Sequence, residues 1–252
     1  MKAIILAAGK GTRLHPLTDK QPKCMVKIQG KPLLDHQIEV LLSCNVNKNY
    51  IVAGHLAHMI KRPNLRKIIN KDYATTNMVH TLFCASRFMT GEEDLLVIYG
   101  DIVYTAETLQ SVISGDAPVS VGVDLSWRKY WQARMNDPLK DAETLRLRDG
   151  NRITELGKRP KSYDQIEGQY MGLIKIRANY VLKFKEFWEA MDRNATYDNK
   201  DFDNMFFTSF LQALIDNNWD VRAILVSGGW LEIDTPTDLT FDHSPFWAPH
   251  PS

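Results

Sequence analysis

Four charged side chains, scattered along most of the chain, have the types and settings to act on a phosphate: Arg13, Lys23, Asp101 and Asp234. The two cations flank a loop with almost no side chains, Ala7-Ala8-Gly9-Lys10-Gly11. Small residues let a ligand approach the main chain, and glycine tolerates φ > 0, so successive N–H groups can point at one anion. Arg13 just past the loop and Lys23 after Pro22 make the stretch a cradle for a polyphosphate. It is not the dinucleotide fingerprint, because position 14 is Leu where a third glycine is expected. Nor is it a P-loop, since no Gly-Lys-Ser/Thr closes it. Asp101 ends the apolar run Leu95-Leu-Val-Ile-Tyr-Gly, which puts it at the carboxyl end of a strand, where ligands of open α/β sheets sit. A carboxylate beside a triphosphate needs a cation between them. Mg²⁺, a hard ion held by one or two carboxylates plus phosphates, is the expected one.

The elements that must position these groups follow from periodicity. Ala3 to Leu6 is apolar without alternation and reads as a strand buried on both faces. Leu33 to Ser43 has helical spacing, 50–54 reads as a strand, 55–61 as a short helix stopped by Pro63, and 66–70 as a third strand. A polar loop from Asn70 opens a helix expected to run to about Met89, which Thr76 or Asn77 can cap. Beyond the strand ending at Asp101 come a helix near 105–114 and a strand at 119–125. Residues 126–141 interleave Trp127, Tyr130 and Trp131 with basic residues, which suits a lid, a subunit contact or an amphipathic helix with core aromatics. Asp149-Gly-Asn151 marks a hairpin between 144–148 and 152–156. The segment 168–176 reads as a strand whose Gly168 and Gly172 permit close ligand approach. Two helices (178–191 and 204–216), a strand (221–226) and a short strand delivering Asp234 complete the pattern, with Pro236 starting a last helix. A single α/β domain is expected over 1–240, with a mixed, mostly parallel, Rossmann-like sheet covered by helices on both faces, followed by a tail from 241 to 252.

Composition removes other classes. The chain has 252 residues, 44% apolar and 24% charged, with a formal net charge of +1 and no long basic block, so neither nucleic acid nor a membrane surface is favoured as partner. No apolar run approaches the roughly 18 residues of a membrane helix, and the N-terminal run is too short for a signal peptide. Three cysteines without metal spacing argue for a reduced, cytoplasmic setting, with Cys24 a small buried residue. A homodimer is left open.

The full N-terminal string, Leu-Ala-Ala-Gly-x-Gly-Thr-Arg-Leu-x-Pro-Leu-Thr, then Pro22-Lys23 and Gly30-Lys-Pro-Leu33, resembles the signature of the sugar-phosphate and phosphocholine nucleotidyltransferases. Trp230-x-Glu-Ile-Asp-Thr-Pro-x-Asp238 resembles the same family's C-terminal motif. The resemblance implies that the loop (Leu6, Ala7, Ala8, Gly9, Gly11, Thr12) wraps an NTP triphosphate and that Arg13 and Lys23 neutralise the departing pyrophosphate. It further implies that Asp101 and Asp234 are the Mg²⁺ ligands. Asn77 faces the base in such proteins, as well as being able to cap, and Tyr99 and Gly100 are expected to border the nucleotide. The strand at 168–176 would line an acceptor pocket, making Glu155, Lys158, Gln169, Tyr170 and Trp230 acceptor candidates, though each also reads as an ordinary surface or sheet residue. Trp127, Tyr170 and Trp230 could form a cage for a quaternary ammonium.

Pro-Lys-Cys-Met, the Asn77 loop and Trp-Leu-Glu-Ile-Asp are similar to the phosphocholine cytidylyltransferase branch, which implies CTP. Thr-Asn-Met-Val (76–79), Tyr-Gly-Asp-Ile-Val-Tyr (99–104) and Gly-Gln-Tyr-Met-Gly-Leu (168–173) are similar to the glutamine-phosphate cytidylyltransferases of capsule phosphoramidate pathways and to the phosphonate cytidylyltransferases. The expected reaction joins CTP to a small phosphate or phosphonate (L-glutamine phosphate, phosphocholine or a phosphonate) and releases pyrophosphate, in cell-surface polysaccharide or phosphonate biosynthesis. A hexose-1-phosphate nucleotidyltransferase using UTP or dTTP is the nearest alternative. A nucleotide-binding regulatory protein without turnover is the alternative from another class.

Overall fold

Successive residues of a strand face opposite sides of a sheet, so an unbroken apolar run is stable only where both faces are covered. Strand β1 (Lys2–Ala7) is such a case: Ala3 and Ile5 enter one core, Ile4 and Leu6 the other. The computed structural model describes residues 1–248. Around β1 are built β2 (Lys48–Ala53), β3 (Leu65–Ile69), β4 (Leu95–Tyr99), β5 (Val119–Asp124), β6 (Leu145–Arg148), β7 (Arg152–Leu156), β8 (Gln169–Ile176) and β9 (Val221–Val226). They form one nine-stranded sheet in the order β3-β2-β1-β4-β8-β5-β9-β7-β6. β3, β2, β1 and β4 are mutually parallel, as are β5 and β9, while β8 and β7 run against their neighbours. This is the mixed, mostly parallel α/β sheet expected from the sequence.

Helices α1 (Leu33–Ser43), α3 (Ala106–Ser114) and α4 (Trp127–Arg134) pack on one face. Helices α2 (Met78–Phe83), α5 (Ala178–Ala190) and α6 (Phe207–Asp216) cover the other. The helix expected to reach Met89 ends at Phe83, followed by a separate 3-10 turn at Ser86–Phe88. Two aromatics explain the break, because they are drawn to different partners. Phe83 stacks on Trp188 at 4.1 Å, and Phe88 lies 4.6 Å from Tyr50. The last helix is a single 3-10 turn, Pro236–Leu239, closed by a reciprocal capping box between Thr235 and Asp238.

Two further expectations are corrected. The segment from 241 is packed against the body as far as Trp247, rather than forming a tail from its first residue. Trp247 is 2% exposed and meets His36 edge-on at 5.1 Å, and His243 Nε2 lies 2.7 Å from the Asp238 carbonyl. Its aromatics complete the core under α1, which is the physical reason it is held; residues 249–252 lie outside the described residues. Gly168 and Gly172 clear room for side chains, not for a ligand. A Cβ on Gly172, whose φ is +72°, would stand 2.5 Å from the Tyr99 ring, and one on Gly168 would stand 2.4 Å from Val123 Cγ1.

For function the decisive element is a small two-stranded ribbon, Ile102–Tyr104 paired antiparallel with Trp230–Glu232. It extends through the Ile233 N–H, which donates to the Asp101 carbonyl at 2.9 Å. The ribbon therefore brings the end of β4 and the C-terminal motif side by side.

Candidate active site

The bare loop leaves β1 at Ala7 and folds against the segment carrying Lys23. Gly11 lies at φ +63°, and a Cβ there would sit 3.0 Å from Lys23 Cβ, so both conformation and space favour glycine. Thr18 Oγ1 donates to the Gly11 carbonyl at 2.9 Å and fixes the turn. The Gly100 N–H donates to the Leu6 carbonyl at 2.9 Å, holding the end of β4 beside the loop. These contacts enclose a cavity of about 270 Å³ lined by Leu6, Ala7, Ala8, Gly9, Gly11, Thr12, Asn77 and Gly100, together with Arg13, Lys23, Asp101 and Asp234. Tyr99, expected to border the nucleotide, lines a neighbouring cavity instead, its ring packed edge-on against Tyr170 and Phe207.

Sequence reasoning missed part of the first cavity: Cys24, Tyr73, Thr76, Met78 and Thr81. The available signal was the polar run beginning at Asn70. Fully buried Asn70 donates from one amide to Thr76 Oγ1 and Thr81 Oγ1 and ties that loop to α2. Asn77 both caps and lines: its Oδ1 accepts from the Met78 N–H at 2.9 Å, its Nδ2 donates to the Asn204 carbonyl at 3.2 Å, and it borders both cavities.

The charged residues meet at one spot. Lys23 Nζ donates to Asp101 Oδ2 at 2.7 Å and also to Asp234 Oδ1. Arg13 reaches Asp234 Oδ2 at 2.9 Å while its side chain stays 64% exposed, free to follow a ligand. Burial works against the Lys23 ammonium, but Asp101 and Asp234 outweigh it, so the pKa is raised and the lysine stays charged. Burial likewise works to raise Asp234; Lys23 and Arg13 overcome it, and its pKa is lowered. Glu232, which sequence reasoning did not assign, joins this group. One oxygen from each of Asp101, Glu232 and Asp234 lies within 4.8 Å of the others. Burial and the neighbouring Asp234 push the Glu232 carboxyl up, with Arg134 opposing them.

Asp234 is held by its surroundings. Asp238 accepts from the N–H groups of Asp234 and Thr235 at 2.8 and 2.7 Å, and the buried Arg134 donates to both Asp238 and Glu232. Within 126–141, Trp127–Arg134 is thus a helix with core aromatics, whose Arg134 braces the acidic motif, and Pro138–Lys140 is a separate 3-10 turn.

A second cavity of about 330 Å³ adjoins the first, and Arg13, Asn77, Met78 and Asp234 line both. Two acceptor candidates, Gln169 and Tyr170, border it. The other three do not, and those expectations are corrected. Trp230 is 1% exposed, donates its indole N–H to Asp124 Oδ2 at 3.0 Å and packs on Tyr130, so it is a core residue. Lys158 is paired with Asp198, and Glu155 sits in β7; neither lines either cavity. With Trp127 and Trp230 both buried, the three-aromatic cage is not formed. The second cavity is bordered instead by Trp131 from the middle of α4, by Asp141 and Glu143 from the connection between α4 and β6, and by Phe206, Phe207 and Thr208 at the start of α6.

The donor set fits a hard divalent ion. Asp101 Oδ1 is buried and has no hydrogen-bond partner among the described residues, and all three clustered ligands are carboxylate oxygens.

Comparison with known proteins places the chain in a family. A family model described as "MobA-like NTP transferase domain" matches residues 3–139. The chain is 45% identical over 249 residues to a CTP:phosphoglutamine cytidylyltransferase of Campylobacter jejuni, covering 95% of this chain and 98% of that protein. Among solved structures it is similar to an inositol-1-phosphate CTP transferase from T. maritima (TM-score 0.72, 19% identity, 97% of this chain and 93% of that one). It is also similar to a CTP:phosphocholine cytidylyltransferase from Streptococcus pneumoniae (TM-score 0.66, 22% identity, 94% and 95%). At these identities the two structures bear on the fold alone.

Proposed function

The chain belongs to the MobA-like NTP transferase family, and from that footing we propose that it is a CTP-dependent cytidylyltransferase whose acceptor is phosphoglutamine. A phosphate oxygen of the acceptor attacks the α-phosphorus of CTP. A new P–O–P bond forms, the α–β bond breaks, and pyrophosphate leaves with the electron pair. One observation carries this reading: the two cavities share a wall at Arg13 and Asp234, where an acceptor phosphate and a nucleotide α-phosphate would meet. The choice of acceptor is supported by the match to the C. jejuni enzyme over nearly the whole of both chains.

Two anions meet in this reaction, and the nucleophile is already ionised at neutral pH, so the main task is to hold the reactants and counter charge. Arg13 has the planar fork to bridge phosphate oxygens, and Lys23 is a compact charge on a flexible stem that can transfer from the carboxylates to a phosphate. Asp101 and Asp234, with Glu232 beside them, would hold Mg²⁺, whose chemistry when bound is Lewis-acid stabilisation of charge on the α-phosphate. The loop main chain and Gly100 border the triphosphate, and Asn77 borders the base. The three cysteines are free, and no described helix is long and apolar enough to cross a membrane.

A pyrophosphate-release assay with phosphoglutamine and each of the four NTPs tests the reading. CTP is expected to exceed UTP, ATP and GTP by at least about tenfold in kcat/KM, the scale of one or two base-edge hydrogen bonds. Equal use of UTP would remove the cytidylyl assignment.

A further inference from the structure

The second cavity has an uneven charge. Its cation is Arg13, at the wall shared with the nucleotide cavity, and its acids include Asp141 and Glu143. Asp141 is engaged: its Oδ2 accepts from the Trp131 indole at 3.1 Å, and its Oδ1 lies 4.0 Å from Arg13. Glu143 is not. It is half-buried, and among the described residues no hydrogen bond or ion pair reaches its carboxylate. Burial, then Asp141 and Asp198, push its carboxyl up to about 7, the behaviour of an acid that lacks a cation.

Gln169 stands beside it in a fixed orientation. Its Oε1 accepts from the Glu143 N–H at 3.4 Å, which assigns the amide and leaves Nε2 as a donor with no partner among the described residues. One cavity is therefore lined by an unpaired carboxylate, an unused amide donor and, at the wall shared with the nucleotide cavity, a guanidinium.

We propose that Glu143 and Gln169 form a head-group subsite for an acceptor that carries an ammonium as well as a phosphate, Glu143 taking the ammonium and the Gln169 amide taking a carboxylate beside it. The site thereby selects a dipolar, amino-acid-type phosphate: anionic end at Arg13 and Lys23, cationic end at Glu143. A hexose phosphate would leave Glu143 without a cation. A quaternary ammonium offers no N–H to the carboxylate and meets no complete aromatic cage here. The inference rests on the cytidylyltransferase reading but is separable from it.

The test is steady-state pyrophosphate release with CTP by the wild-type enzyme, E143Q and E143D. Acceptors are phosphoglutamine, its N-acetylated form, phosphocholine, 2-aminoethylphosphonate and glucose 1-phosphate. E143Q preserves shape and removes charge, and its KM for CTP serves as the folding control. Losing one charge-assisted contact is expected to raise the KM for phosphoglutamine about 10–100-fold, leaving the KM for CTP within about twofold, with partial recovery in E143D. Wild-type enzyme is expected to prefer phosphoglutamine over its N-acetylated form by a similar factor, and E143Q to lose that preference. If phosphoglutamine turns over and E143Q handles it like wild type, the subsite is refuted and the reaction assignment stands. If the wild type uses glucose 1-phosphate in place of any ammonium-bearing acceptor, the subsite and the choice of phosphoglutamine both fall, while cytidylyl transfer stands. If it uses a different ammonium-bearing acceptor and E143Q raises that KM, the subsite stands and the choice of phosphoglutamine falls.

Discussion

Lys23 joins two carboxylates that lie far apart in the chain, and its ammonium is the group an incoming phosphate would recruit. In the proposed reaction Asp101 and Asp234 would have two tasks, holding the lysine in the free protein and a hard cation in the reacting complex. Their charge would then act where charge develops, while nucleotide affinity would be spread over the loop and Asn77. Asp101→Asn and Asp234→Asn are each expected to lower kcat by about 100-fold or more while CTP binding, measured by equilibrium titration, changes only a few-fold. Near-wild-type turnover in both would remove their assigned roles. Asp101 was legible in the sequence because it ends an apolar run where a strand must stop, Arg13 and Lys23 because they follow a loop of small residues and Pro22, and Asp234 through the C-terminal motif. Glu232 was not, because it lies inside a strand motif whose alternation alone says nothing about a neighbouring acid. Glu143 was not legible for a different reason: it becomes notable only through having no partner, and partnership is a property of packing.

At the scale of elements, the sheet was readable wherever both faces of a strand are covered, as in β1, β4 and β5, since continuous apolar runs leave few alternatives. The α2 boundary was missed because Phe83 and Phe88 find separate aromatic partners, a tertiary effect that overrides helical periodicity. Trp230 was misread because an aromatic in a functional motif can serve the core, as its indole bond to Asp124 shows. The ends of β1, β2 and β4 opposite the site are gathered by Glu93. It accepts from Lys48 at 2.7 Å and pairs with the Met1 amino group at 2.8 Å. The Lys48 hydrogen bond, then the Met1 amino group, bring its carboxyl down from 4.5 to about 2. A depressed carboxyl stabilises the fold fully above its unfolded pKa, and that contribution is lost as pH falls through the folded value. Glu93→Gln is therefore expected to be less stable than wild type at pH 7, with the gap closing between about pH 4.5 and 2. Urea denaturation at stepped pH values reads this directly. A gap that does not change with pH would show that the contacts of Glu93 contribute by packing alone.

For the molecule as a whole, a nine-stranded sheet presents its loop-bearing edge to two adjoining cavities, and the ribbon between residues 102–104 and 230–232 sets where they meet. The brace from Arg134 through Asp238 holds the acidic motif from behind, so the shared wall keeps its shape before either substrate arrives. Such an arrangement suits transfer of a nucleotidyl group, in which two anions must be held in line and water kept from replacing the acceptor. The most direct measurement is ³¹P NMR of the wild-type enzyme with CTP, Mg²⁺ and phosphoglutamine, following both products in one tube. Equimolar pyrophosphate and a new phosphorus–phosphorus-coupled cytidylyl product are predicted, both absent without acceptor. Inorganic phosphate in place of pyrophosphate, or CTP consumed without a coupled product, would contradict attack at the α-phosphorus and with it the central claim.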